Sequence, residues 1–106
     1  MAKKDDLLIG FDEVLENDLK DPEFAAAYLN AHLEINDEVD EELFLEAISK
    51  IIEAYGATNF SKSSNVPVRT LYSAFFEKGN PRFKTLTQVL DQVGVSLQFV
   101  PKKTGS

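Results

Sequence analysis

The sequence predicts a mainly α-helical single domain of five helices, two of them in helix-turn-helix spacing, closed by one short C-terminal β-strand. Three observations predict it. Apolar residues recur at helical intervals from Phe24 to Val93. Residues that start or stop helices punctuate those stretches at Asp21-Pro22, Asp40, Gly56, Pro67 and Gly94. Charge divides at Gly56: residues 1–56 carry sixteen Asp/Glu against four Lys/Arg, a balance of −12, whereas 57–106 carry seven Lys/Arg against two Asp/Glu, a balance of +5. Such asymmetry suggests a nucleic-acid contact in the basic half and an acidic partner-binding segment in the other.

Taken in order, residues 1–20 mix charge with a few apolar residues and read as a flexible acidic arm, with a helical turn allowed over 11–15. A single helical domain follows over 21–101. Its acidic helices occupy 21–56, its helix-turn-helix region 57–94 and its strand 95–100. The first helix starts at Asp21-Pro22-Glu23, since Asp accepts free N–H groups, Pro suits the first position and Glu favours the positive end of the dipole. Phe24, Tyr28, Leu29 and Leu33 form its apolar stripe, and Asn36-Asp37 makes a turn. Asp40 caps the second helix. Leu43, Phe44, Ala47, Ile48, Ile51, Ile52 and Tyr55 face inward there, while Glu42, Glu46, Lys50 and Glu53 face water. Gly56 ends it as a left-handed cap.

Beyond Gly56, Thr58 is the expected cap of a short helix over 59–64. Asn65 tolerates a positive φ, and Val66-Pro67 opens a helix over 68–76. Gly79-Asn80-Pro81 breaks the chain before a helix over 83–93, with Phe83, Leu86, Val89, Leu90 and Val93 inward. Gly94 stops that helix. Residues 95–100 alternate apolar and polar as a strand, which needs a partner for its edges. Residues 102–106 read as a frayed tail.

Bulk properties narrow the function. The 106 residues allow one modest core, and a hydrophobic content of 43% is too high for a disordered chain. Cysteine is absent, which removes disulfides, thiol nucleophiles and cysteine metal sites. The apolar runs are too short to span a membrane, and the start lacks a signal peptide's apolar core, so a cytoplasmic protein is expected. No catalytic, metal-binding or cofactor-binding pattern is visible, and His32, the sole histidine, lies among Tyr28, Leu29 and Leu33 as a packing or surface residue. The chain is expected to be no enzyme and to use no cofactor or metal.

A helix-turn-helix makes specific demands that residues 57–94 meet. The first helix needs a small residue at the crossing, here Ser61. The turn needs a left-handed residue, Asn65, and an apolar plug, Val66. Leu71 and Phe75 then face the core, leaving Val68, Arg69, Tyr72 and Ser73 outward. Arg69 can pair bidentately with a guanine edge. Thr70 or Ser73 can bond a base or a phosphate, and Tyr72 suits either the sugar-phosphate backbone or the core. Lys62, Lys78, Asn80, Arg82 and Lys84 surround the motif and suit phosphates.

Four segments carry a family resemblance: Tyr28-Leu29-Asn30-Ala31, Leu43-Phe44-Leu45-Glu46-Ala47-Ile48, Leu71-Tyr72-Ser73-Ala74-Phe75 and Gly79-Asn80-Pro81-Arg82-Phe83. Over residues 22–101 the chain resembles the probable addiction-module antidote proteins, small antitoxins of the lambda-repressor-like (Cro/C1-type) helix-turn-helix superfamily. Two positions depart from that pattern: Asn65 stands where glycine is usual, and Pro67 where a serine or threonine cap begins the reading helix. The resemblance implies a type II antitoxin that neutralises a basic toxin of the RelE/ParE kind and represses its own operon. Carried over by position, it implies DNA contacts from Lys62, Arg69, Thr70, Tyr72 and Ser73, with Arg82 and Lys84 near the backbone. The acidic half suits a basic toxin through charge steering. The strand edge over 95–100 suggests homodimerisation by strand pairing, or pairing with a toxin, and a homodimer matches the two half-sites that such motifs read on double-stranded operator DNA. Two other readings compete: a helix-turn-helix regulator without a toxin, and a protein-only interaction module that has lost DNA binding.

Overall fold

Asp21 begins the first helix for a local reason. Its carboxylate accepts the Glu23 N–H at 3.3 Å, and Pro22 takes the first helical position, where no N–H is needed. The computed structural model describes residues 16–35 and 38–102, and these are mainly helical. The arm expected over 1–20 lies mostly outside the described residues. At its end, residues 16–18 are helical and Leu19 is buried in the core.

Helix α1, Pro22–Leu33, buries Ala25 and Leu29, so its inward stripe is rotated from the expected one and Phe24 lies at the rim. Phe24, Tyr28 and His32 instead line up in a row at i, i+4 spacing, with ring centroids 6.4 and 4.3 Å apart, the first pair stacked and the second tilted. His32 Nδ1–H also donates to the Tyr28 carbonyl at 2.7 Å. Burial, and then the Glu46 carboxylate, raise the Tyr28 phenol above its ordinary pKa. Where a plain turn was expected, two short strands pair antiparallel. Strand β1, Glu34–Ile35, sets Glu34 opposite Val39 and Ile35 opposite Glu38 of strand β2, Glu38–Val39.

Helix α2, Glu41–Tyr55, is the central element. Asp40 caps it by accepting the Leu43 N–H at 3.0 Å. Ile48, Ile51 and Ile52 are fully buried, and burial of each side chain contributes about 1.5–3 kcal/mol. The opposite face keeps Glu42, Glu46, Lys50 and Glu53 in water, as the spacing predicts.

Helix α3, Ala57–Ser64, starts one residue after α2 stops. Gly56 serves both: its N–H donates to the Ile52 and Glu53 carbonyls, and its own carbonyl accepts the Phe60 N–H at 2.8 Å. Thr58 is therefore inside the helix and not its cap. Gly56 has φ 88° and ψ 124°, outside the left-handed helical region expected of it, in a conformation open essentially to glycine.

The next helix, expected as one piece over 68–76, is composite. Helix α4, Val68–Leu71, widens into a π-helical turn, Tyr72–Phe76, closed by the Glu77 N–H donating to the Tyr72 carbonyl at 3.0 Å. Helix α5, Phe83–Val93, follows. Phe83 was expected inward but is 68% exposed: it is the first residue of the helix, and burial comes from the later turns at Val89, Leu90 and Val93. Helices α1 and α3 and the π-helical turn all pack on α2, and α3 also meets α4 and α5.

The strand expected over 95–100 does not form. Gly94 and Val95 instead close α5, their N–H groups donating to Asp91 and Leu90 in a Schellman arrangement. Among the described residues no second strand pairs with residues 96–100, and regular structure is absent there.

Candidate nucleic-acid interface

The corner between α3 and α4 is built by short polar bonds around one apolar plug. Asn65 takes the left-handed conformation, φ 65° and ψ 27°, and its N–H donates to the Ser61 carbonyl at 2.9 Å. Val66 is then turned inward and is 2% exposed. Ser61 Oγ donates across the corner to the Val66 carbonyl at 2.6 Å, while Ser64 Oγ donates to Phe60 and stands 3.4 Å from the Val66 N–H. Ser61 thus does more than keep the crossing small: it holds the corner shut. Replacing Ser61 by alanine is expected to lower stability by about 1 kcal/mol, since it removes one hydrogen bond from a partly buried carbonyl. A denaturant titration checks this, as a shift in midpoint at unchanged slope.

Pro67 forms the cap position of α4, its carbonyl accepting the Leu71 N–H at 3.0 Å, without a side-chain bond to the helix start. Leu71 and Phe75 are buried as expected, at 0% and 3% exposure. Arg69 and Ser73 are exposed, Thr70 is half-buried, and Tyr72 is 42% exposed with its ring 4.9 Å from that of Phe76. Tyr72 therefore presents an edge to water and a face to its own helix. It is neither a core residue nor a free one.

The break at Gly79-Asn80-Pro81 folds back beside the π-helical turn. Between them lies a groove of about 480 Å³, lined by Thr70, Ser73, Ala74, Gly79, Asn80, Pro81, Arg82 and Thr85. Of the residues expected to touch DNA, the groove brings together Thr70, Ser73 and Arg82. Lys62, Arg69, Tyr72 and Lys84 lie outside it, all exposed. Ser73 Oγ donates to the Thr70 carbonyl at 3.3 Å, which leaves the lone pairs of the oxygen for a donor in the groove.

Two features of this face escape sequence reasoning. Thr85 joins the groove from the first turn of α5, and a hydroxyl just after the Gly-Asn-Pro-Arg run was the available signal. The π-helical turn has no such signal. Lys78, by contrast, turns toward the acidic half: it has φ 54°, and its ammonium lies 3.8 Å from Glu42. Both groups are well exposed, so that pair adds little stability. Its direction matters more, since it removes Lys78 from the group suited to phosphates.

Chemically, this face offers a guanidinium fork, hydroxyls and an amide, without a nucleophile held by a base. Among the described residues there is no cluster of three side chains able to hold a metal ion. No helix of the described chain is long and apolar enough to cross a membrane. No curated protein and no solved structure matches the chain at a significant level. Residues 9–101 match a family model described as probable addiction module antidote protein.

Proposed function

The chain belongs to the probable addiction module antidote proteins, and from that membership we propose that it is a DNA-binding antitoxin of a type II module. In this reading it neutralises a toxin of the RelE/ParE kind and represses its own operon through a lambda-repressor-like helix-turn-helix. The observation that carries the DNA half of the reading is the face just described. Arg69 stands exposed at the start of α4 beside a groove that joins Thr70, Ser73 and Arg82, in the half of the chain whose balance is +5. A helix start with one arginine and several hydroxyls suits base edges and phosphates of a major groove. The cytoplasm, where operator and toxin would meet, is the compartment this reading requires. A homodimer on two half-sites completes it.

The experiment is fluorescence anisotropy of the full chain on the duplex immediately upstream of its own gene, against an unrelated duplex, over a range of salt. Expected is selective binding whose log K falls linearly with log salt, by a slope of several for several neutralised phosphates. Affinity equal to that for the unrelated duplex would remove the DNA half of the reading. A protein-only antidote would then take its place, a reading the −12 balance of residues 1–56 favours.

A further inference from the structure

A second groove, of about 650 Å³, runs between α2 and the π-helical turn. Its apolar lining comes from Leu45, Phe75 and Phe76, and its rim carries Glu41, Glu42, Glu46 and Glu53. Two lysines also line it, but Lys50 lies 3.9 Å from Glu53 and Lys78 3.8 Å from Glu42. Glu41 and Glu46 have no ion-pair partner among the described residues. An apolar floor under unmatched carboxylates calls for a segment with apolar side chains and then cations.

This chain carries such a segment itself. Beyond the cap of α5, Leu97 is 46% exposed, Phe99 91% and Val100 78%, and Pro101-Lys102-Lys103 follows at once. Three large apolar side chains at that exposure within four residues form a patch that favours burial against another surface. In its own chain the segment leaves the groove unfilled. We propose that residues 97–102 of a second copy of this chain fill the groove, Phe99 and Val100 on the phenylalanine floor and Lys102 at the glutamate rim. Two chains that exchange these segments reciprocally, each filling the other's groove, form a closed two-fold dimer. From Val95 to Lys102 the extended chain reaches about 24 Å, enough to cross to a neighbouring domain. The proposal rests on the dimer reading above and supplies its interface.

The chain has no cysteine, so single introduced thiols report without background. Glu46→Cys and Gln98→Cys chains, both changed at exposed positions, are mixed under mild copper-phenanthroline oxidation and run on non-reducing gels. Expected is a mixed disulfide dimer as the main product, with little product from either chain alone. In parallel, Phe99→Ser is expected to weaken dimerisation in sedimentation equilibrium by about 10-fold or more, given the area an aromatic ring buries, with an unchanged helical circular dichroism spectrum.

Several results would overturn the proposal, each in a distinct way. Gln98→Cys chains joining to one another would mean that the segments pair as strands instead. A disulfide closing within the Glu46→Cys/Gln98→Cys double variant at the mass of one chain would mean that the segment folds onto its own groove. A dimer unaffected by Phe99→Ser, without the mixed disulfide, would place the interface elsewhere and leave the dimer reading standing. A single chain at all concentrations would end both, and would leave the acidic groove for a foreign basic protein.

Discussion

Replacing Gly79 by alanine is expected to destabilise the domain by about 3 kcal/mol or more, lowering Tm by on the order of 15 °C. A Cβ at this position would overlap the Ser73 carbonyl oxygen, and would stand 2.9 Å from the Ser73 carbonyl carbon and 3.0 Å from Ala74 Cα. All three are backbone atoms of the π-helical turn. None can rotate aside as the end of a flexible side chain would, and a packed interior does not yield by such amounts without strain. The chain must therefore lift the 77–82 loop away from the turn. That movement separates Asn80 and Arg82 from Thr70 and Ser73, so DNA affinity should fall together with stability, even well below Tm. Asn80→Ala is the control: it changes the exposed neighbour and should move stability by no more than about 0.5 kcal/mol. Thermal unfolding followed by circular dichroism decides it. A Gly79→Ala protein melting within a few degrees of the parent would show that the loop does not rest on the turn in this way.

Gly79 also illustrates what was legible in the sequence and what was not. That the chain breaks at Gly79-Asn80-Pro81 follows from local preferences, and so do the caps at Asp21 and Asp40, the left-handed Asn65 and the stop at Gly94. Each depends on a residue and its neighbours within one turn of helix. The reason Gly79 must be glycine is a contact between segments that no local preference encodes. The same holds for Phe83, whose helical spacing matches an inward stripe but whose place at the start of α5 leaves it outside the core. The strand expected over 95–100 fails for a related reason. Alternation records which faces a segment offers, but a strand exists only when another backbone meets its N–H and C=O groups. Thr58 lost the capping role because Gly56 could end one helix and begin the next. The π-helical turn had the weakest trace of all. It sets Phe75 inward and Phe76 half-inward on successive residues, a pairing that uniform helical spacing does not anticipate.

The candidate site divided along the same line. Arg69 and Ser73 came out exposed as the pattern required, because facing follows from helical phase once Leu71 and Phe75 are known to be inside. Thr85 was missed and Lys78 was turned elsewhere, because both depend on how the loop after the π-helical turn returns. Charge alone placed Lys78 with the basic half. Its positive φ swings it toward α2 and Glu42.

Arg69→Ala separates reading the bases from merely being charged. Arg69 is exposed and makes no ion pair among the described residues, so its loss should leave Tm within the scatter of ordinary surface substitutions, about 0.5 kcal/mol. Affinity for the operator duplex is expected to fall by roughly 10- to 100-fold, while affinity for an unrelated duplex changes far less. Arg69→Lys sharpens the test, since lysine restores the charge but not the planar fork that meets two acceptors of a guanine edge. If Arg69 reads a base, lysine should recover the non-specific component and little of the discrimination. If it only neutralises a phosphate, lysine should recover nearly everything. Lys62→Ala gives the opposite signature, a loss of similar size on both duplexes and a salt slope smaller by about 1. Equal losses from Arg69→Ala on operator and unrelated DNA would move the reading residue elsewhere on the face, with Thr70, Ser73 and Asn80 next in line because they share one groove.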